Sequence, residues 1–540
     1  MGICSRNLSR SFLGISRVGV RTVSTSKTPS RNIFGVFTKF IFPSKDFSIV
    51  CKSSYSTEKI ERQVDDLAVE ENPVDTSDYL AELVNFQDLG LEQKLCYTLK
   101  REFDIVYATP AQDALLKNFF KGRDIILRDT TGSGKTFATT LALLSKALSV
   151  SDEKTPTQSL LLVPNRELAI QIETWCKRLL GPAFSSRLIQ IIYKGKETDA
   201  AQEKLLSEVT PLLIVGTPNR IFEIVNTKPL IKLESIKHVI LDEVDHLLRL
   251  PSRYAPQKRV DLREKHPKPA SLLMKSIFEL TRPQVGIMSA TLNRGVRFHF
   301  NQLNWMEHPV YIDGTASIQS PPESLEHMCV VVTSKEVYNL PFEPKKEKLT
   351  PEEEQQVEET FVGVPQQMRS QDDSAQVETI ADDDEKLYES VAVAAHSDEV
   401  ALGLVFIPNK VSAAPIVKKL LSLGIDARPL YSYFGSHEKP QKQGSKPTLL
   451  VGTYYEARGI DIPDVTHVYI TGYPGPVSEY LHIAGRAGRM RANQEDVSGQ
   501  QISWGRIVTF LPMAPNRISR MSLLYRMLSV TPIPYPHVEH

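Results

Sequence analysis

The residues best suited to chemistry in this chain are Thr131-Gly132-Ser133-Gly134-Lys135-Thr136 and, well downstream, Asp242-Glu243-Val244-Asp245. Glycines at 132 and 134 let backbone N–H groups face an anion at a helix N-terminus, where the helix dipole adds to the attraction. Lys135 then reaches the β and γ phosphates of a nucleoside triphosphate, and the Thr136 hydroxyl is suited to ligate Mg2+. Asp242 would hold the same ion through water, and Glu243 would orient or deprotonate an attacking water. By itself the first string also reads as an ordinary Gly-rich turn. Its pairing with two carboxylates directly after the apolar run His238–Leu241 is what points to triphosphate hydrolysis.

Further strings stand in order around these two: Pro164-Asn165-Arg166-Glu167-Leu168-Ala169, Thr217-Pro218-Asn219-Arg220, Ser289-Ala290-Thr291, Ala457-Arg458-Gly459-Ile460-Asp461 and Gly485-Arg486-Ala487-Gly488-Arg489. Over roughly residues 86–513 the series closely resembles a divergent member of the DEAD-box family of ATP-dependent RNA helicases, in superfamily 2. The resemblance implies ATP and Mg2+ as cofactors. It implies RNA, single-stranded or structured and held without regard to sequence, as the partner. It makes Lys135, Asp242, Glu243, Arg486 and Arg489 the catalytic set. The two arginines would lie opposite the γ phosphate, so hydrolysis would depend on domain closure. Thr131, Gly132, Ser133, Gly134, Lys135 and Thr136 become the phosphate loop, with Thr136 and Asp242 as metal ligands.

Upstream, Ala108-Thr109-Pro110-Ala111-Gln112 resembles the family's adenine-reading motif. The Gln112 carboxamide has both a donor and an acceptor for the adenine edge; a lone glutamine is more often a surface residue, and the spacing to Lys135 is what favours the adenine reading. Phe86 matches the family's base-stacking aromatic, and Thr109 and Asp461 match nucleotide contacts. The resemblance assigns Arg166, Thr217, Arg220, Thr453 and Arg458 to the RNA backbone; Thr453 and Arg458 match RNA- or interface-facing positions. For Arg166 an internal salt bridge is the competing reading. Ser289 and Thr291 look like the family's relay, joined by hydroxyl hydrogen bonds to the loop that ends at Asp245. Several positions depart from the family. Asp129 and Val244 replace alanines, Ile483 replaces the arginine after His482, Gly195 stands where two glycines are usual, and Tyr454 follows Thr453 in place of aspartate. The segment Tyr431–Lys446 is short, so a helix with RNA-facing residues is expected to be lost, and closure and unwinding to be weaker.

Elements that position these residues are legible as short apolar runs separated by helical stretches. In a first block the runs are Asp124–Leu127, Ser159–Val163, Leu212–Val215, His238–Leu241 and Val285–Met288; in a second they are Gly403–Ile407, Thr448–Val451, His467–Ile470 and Arg506–Phe510. Such runs predict parallel sheets covered on both faces, with ligands at the carboxyl ends of the strands, where the motifs fall. The expected fold is α/β: two tandem RecA-like doubly wound parallel-sheet domains with a flexible linker and insert. The expected boundaries are a transit peptide over 1–57, a polar linker over 58–85, a first domain over 86–318, a linker with an acidic insert over 319–386, a second domain over 387–513 and a tail over 514–540.

The formal net charge of +0 conceals an uneven distribution. Residues 1–57 hold nine Lys and Arg against the single Asp46, with many serines. On a helix, Arg6, Arg10, Arg17 and Arg21 fall within one arc opposite Leu8, Phe12 and Ile15, the signature of an organelle import signal. Mitochondrion, and its matrix, is the expected address; a basic arm that binds RNA is the alternative. Glu343–Glu385 holds fourteen acidic and four basic residues and too few large apolar side chains to offset its ordering entropy. Arg253, Lys258, Arg259, Arg263, Lys265 and Lys268 form a basic loop, expected to meet RNA or a protein partner, or to be merely solvated. The acidic insert is a second candidate for protein partners. The five cysteines form no CxxC pair, which argues against a disulfide framework or zinc site. No apolar run approaches the roughly 18–20 residues that span a bilayer. The expected function is an ATP-dependent RNA remodeller in mitochondrial gene expression (ribosome assembly, translation or splicing). The alternative is an ATP-gated RNA clamp or scaffold with weak ATPase.

Overall fold

The computed structural model describes residues 74–75, 84–152, 154–195, 198–251, 257–292, 294–314, 325–342, 382–435, 446–488 and 505–538. The expectations for residues 1–57, for residues 343–381, for Arg253 and for Arg489 lie outside the described residues. The strands are β1 (Val74–Asp75), β2 (Val84–Asn85), β3 (Tyr107–Ala108), β4 (Ile125–Arg128), β5 (Ser159–Leu162), β6 (Ile189–Ile192), β7 (Leu213–Gly216), β8 (His238–Asp242), β9 (Gln284–Ser289) and β10 (Val310–Asp313). They continue with β11 (Leu325–Val332), β12 (Val337–Asn339), β13 (Leu402–Ile407), β14 (Asp426–Pro429), β15 (Thr448–Thr453), β16 (His467–Thr471) and β17 (Gly505–Pro512).

Alternation of side chains decides the architecture. Ile125 and Leu127 of β4 join one core cluster while Ile126 joins another. In β13, Leu404 and Phe406 lie in one cluster and Val405 and Ile407 in a second. Each strand is therefore apolar on both faces and needs helices on both, the condition for a doubly wound sheet. Two such sheets form, in the orders β1-β10-β4-β9-β8-β5-β7-β6 and β12-β11-β17-β16-β13-β15-β14. Every pairing in them is parallel except β11 with β12. All nine apolar runs read from the sequence are strands.

Three boundaries are corrected. Residues 319–386 were expected as a linker, yet β11 lies there and pairs with β17 along its whole length, so the second sheet begins at Leu325. The acidic segment was expected to run to Glu385, but the helix Asp382–Ser397 starts within it. The tail over 514–540 contains the helix Pro515–Met527, whose Met521, Leu524 and Tyr525 are buried in the second domain's core. Among the described residues no helix is long and apolar enough to cross a membrane.

Candidate active site

Chain direction puts the motif loops together. Strands β4, β8 and β9 are parallel neighbours, so the loops after Arg128, Asp242 and Ser289 emerge at one edge of the first sheet. The phosphate loop turns into the helix Lys135–Leu148 through Gly134, whose φ of +82° is open to glycine and strained for other residues. A side chain there would also collide with Gln112. The Lys135 ammonium is buried and donates to the carbonyls of Asp129 (3.0 Å) and Thr130 (2.5 Å) and to the Ser133 hydroxyl (3.2 Å). Burial pushes its pKa down, while Glu243, Asp129 and Asp242 act to restore it. Asp129 does not point into the loop. Its carboxylate accepts the Thr130 N–H at 2.7 Å and lies over Gly314 at the end of β10, where a Cβ would come within 2.5 Å of it.

Opposite the loop, Thr136 donates to Asp242 at 2.5 Å. Burial, and then the neighbouring Glu243, push the Asp242 carboxyl up to about 7. Glu243 takes a left-handed backbone, φ 50°, at the start of the helix Val244–Leu248, an uncommon conformation for a side chain of this kind. Its Oε2 is buried without a hydrogen-bond partner. A hydroxyl and a buried carboxylate are hard oxygen donors in a site of excess negative charge, so Thr136 and Asp242 fit Mg2+. They are only two ligands, and no cluster of three or more His, Cys, Asp or Glu exists among the described residues. That suits an ion that keeps water and phosphate oxygens around it. Asp245 accepts from Ser289 at 2.5 Å and from Thr291 at 2.7 Å, so both hydroxyls grip the carboxylate end of the Asp-Glu loop as expected.

Second-sheet loops close over this edge. Asn165 donates to the carbonyls of Tyr455 (3.2 Å) and Arg458 (3.1 Å). The Gln171 carboxamide donates to the Gly459 carbonyl (3.2 Å) and accepts the Asp461 N–H (2.6 Å), while the Asp461 side chain is exposed. The Tyr455 hydroxyl donates to Pro164 O at 2.7 Å. Gly459, with φ +72°, packs where any side chain would strike Leu168, so a glycine is needed for the two domains to approach. Gly485 likewise abuts Thr131 of the phosphate loop. His482 is fully buried, with Nε2 3.7 Å from Glu243, and neither ring nitrogen has a hydrogen-bond partner. Burial and the nearby Arg458 hold its pKa down at about 3, so the ring is neutral. The Arg486 guanidinium is buried on the carbonyls of His482 (2.9 Å) and Ile460 and lies near enough to Lys135 to depress it. Ile483, which stands in place of the family's arginine, is sunk in the second domain's core and supplies no cationic contact.

Two expectations, Phe86 and Arg220, need correction, and two, Gln112 and Arg458, are narrowed. Phe86 is 1% exposed inside the first core, with no face open to a base. Gln112 is no surface residue. Its Oε1 accepts from Thr109 N (3.0 Å) and its Nε2 donates to Gly134 O (3.3 Å), so it braces the phosphate loop from inside. Arg220 is caged by Glu203 (2.9 Å), Glu223 (3.2 Å) and Asp199 (3.6 Å) and is 1% exposed, which keeps it from an RNA strand. Arg458 is buried against His246 of the first domain at 2.9 Å, an interface bond. Arg166 is half-exposed. It pairs with Glu167 at 2.6 Å, as the competing reading had it, approaches Glu456 of the second domain at 3.9 Å, and stacks 5.1 Å above the Tyr431 ring. Thr453 is tied to Glu456 in a capping box, and Thr217 starts the helix Pro218–Thr227 with no side-chain cap. Sequence reasoning missed His482, His246, Asn165 and Gln171. Only Asn165 carried a signal, as an asparagine at a helix N-cap; the others act through partners some hundreds of residues away.

The chain matches the DEAD/DEAH box helicase family over residues 109–298 and the helicase conserved C-terminal domain over residues 389–491. A protein of Arabidopsis thaliana, DEAD-box ATP-dependent RNA helicase 47, mitochondrial, is 34% identical over 189 residues, 33% of this chain and 34% of that protein. RNA helicase CrhR of Synechocystis sp. is 26% identical over 411 residues, 74% of this chain and 66% of that protein. The chain thus spans between a third and two thirds of the length of these curated relatives. The structure of the DEAD-box helicase Mss116 bound to ssRNA and UDP-BeF shares the fold at a TM-score of 0.54 and 18% identity, over 80% of this chain and 76% of that one. Dbp5 of S. cerevisiae bound to RNA and ADP BeF3 shares it at 0.53 and 17%, over 83% and 95%. The two family matches together span more than half of the sequence, on the strand ends just described, and the chain belongs to the DEAD-box helicase family as a divergent member.

Proposed function

We propose that this chain is an ATP-dependent RNA helicase or remodeller whose catalytic set is Lys135, Asp242, Glu243, Arg486 and Arg489. The observation that carries the reading is the approach of His482 and Arg486, from the second domain, to Glu243 and Lys135 of the first. ATP would lie with its phosphates on Ser133 to Thr136. Glu243 takes the proton of the water that attacks the γ phosphorus, and ADP leaves with its β-phosphate oxygen carrying the electron pair. Thr136 and Asp242 would hold Mg2+, which when bound offsets phosphate charge. Arg486 supplies positive charge across the interface as negative charge builds on the transferred group. Arg486 and Lys135 repel one another, so an anion between them favours closure, which links hydrolysis to the closed arrangement. Phosphate and ribose contacts from the Arg166 and Thr217 segments would make RNA binding insensitive to sequence.

The basic, serine-rich, acid-poor residues 1–57 support a mitochondrial matrix address, as does the name of the Arabidopsis relative. Ribosome assembly, translation and splicing are the processes open to it there. We assign residues 1–57 to an import signal, the first sheet to the ATP-binding domain and the sheet from Leu325 onward to the second. A clamp that turns over slowly is the second reading. It is favoured by the internal engagement of Arg220 and Arg458, which removes two of the arginines expected to hold RNA. Steady-state ATPase with and without single-stranded RNA, alongside strand displacement, separates the two. RNA stimulation with displacement supports the helicase, ATP-dependent RNA retention with slow turnover supports the clamp, and ATPase indifferent to RNA contradicts both.

A further inference from the structure

Strand β4 runs into the phosphate loop through Arg128 and Asp129, and β10 ends beside it at Asp313, followed by Gly314. The two strands are parallel neighbours, paired from Ile125 with Val310 to Arg128 with Asp313, so β10 forms a fixed wall along the entry to the loop. Arg128 and Asp313 add an ion pair at 3.5 Å, and the Tyr311 hydroxyl donates to the same carboxylate at 3.0 Å. Asp129 stands where the family has alanine and is only 4% exposed. A carboxylate is seldom buried unless it has partners, so its contacts at this position call for an account.

Its first contact is a hydrogen bond. Oδ1 accepts the Thr130 N–H at 2.7 Å, and that N–H belongs to the peptide unit that joins residues 129 and 130. The carbonyl of the same unit, Asp129 O, accepts from the Lys135 ammonium at 3.0 Å. A peptide unit is planar and trans, so its N–H and C=O point in opposite directions. Holding the Thr130 N–H toward Oδ1 therefore aims Asp129 O at Lys135. The next carbonyl, Thr130 O, accepts from Lys135 at 2.5 Å and from the Ser133 hydroxyl at 3.1 Å, so the whole cradle of the ammonium hangs on this turn. The second contact is steric. A Cβ on Gly314 would lie 2.5 Å from Asp129 Cγ, 2.7 Å from Oδ1 and 2.8 Å from Oδ2, and these are the three atoms nearest to it. The φ of Gly314 lies outside the left-handed region, so its backbone would take an L side chain; the carboxylate beside it is what excludes one. Asp129 is thus held between the Thr130 N–H and the end of β10.

We propose that Asp129 is a positioning residue for ATP: its carboxylate, backed by Gly314, sets the plane of the 129–130 peptide and thereby fixes where Lys135 meets the phosphates. The alanine usual in the family could make neither contact. Lys135 meets the phosphates in the ground state and the transition state alike, so loss of this placement removes binding common to both and appears in KM rather than kcat. The inference rests on the reading of Lys135 as the lysine that binds the triphosphate.

The test measures steady-state ATPase of the full chain at saturating single-stranded RNA. Asp129→Ala should raise KM for ATP about fivefold, the worth of about one hydrogen bond, with kcat within about twofold of wild type. Asp129→Asn keeps an acceptor for the Thr130 N–H without the charge and should bring KM back to within about twofold of wild type. Gly314→Ala drives a methyl group into the carboxylate and should raise KM as Asp129→Ala does. Asp129→Ala with Gly314→Ala should be no worse than either single variant, because the atoms that the methyl would strike are gone. Unchanged or lowered KM in Asp129→Ala would overturn the proposal and leave a carboxylate that only repels the nucleotide. An Asn variant as poor as the Ala variant would overturn it by placing the effect in the charge. Multiplied losses in the double variant would overturn it by showing that Gly314 does not act through Asp129. Undiminished binding of a fluorescent ATP analogue by Lys135→Ala would instead remove the reading beneath it.

Discussion

The two sheets present the same kind of strand end to the cleft and contribute opposite chemistry. The first gives carboxylates and hydroxyls: Asp242 on Thr136, and Asp245 on Ser289 and Thr291, with Glu243 left unpartnered at Oε2. The second gives donors: Arg486 and Arg458, with His482 held neutral by burial. Asp242 and Asp245 of the first domain are satisfied within that domain, whereas Asn165, Gln171 and His246 reach across to the second. Orphan atoms face one another across the cleft: Glu243 Oε2 on the first side and His482 Nε2, 3.7 Å away, on the second. On the proposed function, a site divided in this way would bind nucleotide on one half and complete its chemistry from the other, which would make catalysis a report of closure.

Substitutions that break one side alone sharpen this contrast. The largest effect is expected at Arg486→Ala or Glu243→Gln, each lowering kcat on the order of 10³-fold in an RNA-saturated ATPase assay. A change confined to KM at Arg486 would mean that the second domain merely binds nucleotide. Ser289→Ala with Thr291→Ala frees Asp245 and should cut RNA stimulation on the order of tenfold while basal turnover persists, a coupling free energy of the usual size. Equal loss of basal and stimulated rates would make the hydroxyls structural. Gln112→Ala removes a brace of the phosphate loop and should raise KM for ATP about fivefold, the worth of about one hydrogen bond. If KM for GTP rose equally, Gln112 would be a brace only and no reader of adenine. Arg220→Ala should have the smallest functional effect. It should lower stability by about 1–3 kcal/mol by leaving carboxylates without their partner, with RNA affinity of the folded protein unchanged. Loss of RNA affinity at constant stability would return Arg220 to the RNA face.

Legibility followed the same divide. Nine strands were readable because burial on both faces makes a continuous apolar run. The strands Ile189–Ile192, Leu325–Val332 and Asp426–Pro429 were not, since Gln190, Glu326 with His327, and Arg428 interrupt them. Val310–Asp313 was missed as a short run, three of its four residues only partly buried, that pairs with β4 and β1 near the sheet's margin. Asp242, Thr136 and the Ser289–Thr291 pair were legible because they act one loop from the strand that carries them. Arg220 was misjudged, and Arg458 was left open between RNA and the interface, because an arginine's partner is a tertiary fact: the carboxylates of Arg220 come partly from another helix, and His246 comes from the other domain. Phe86 failed for a related reason, since a motif position does not reveal that an aromatic has been absorbed into the core.

The central claim is that Glu243 and Arg486 work as one unit across the cleft, and a double-mutant cycle in kcat tests it most directly. Residues that serve one transition state are strongly non-additive. Glu243→Gln combined with Arg486→Ala should therefore lose about as much kcat as the worse single variant, with ATP and RNA still bound. Multiplied losses, or an Arg486→Ala enzyme that turns over like wild type, would show that the two domains do not share a catalytic site.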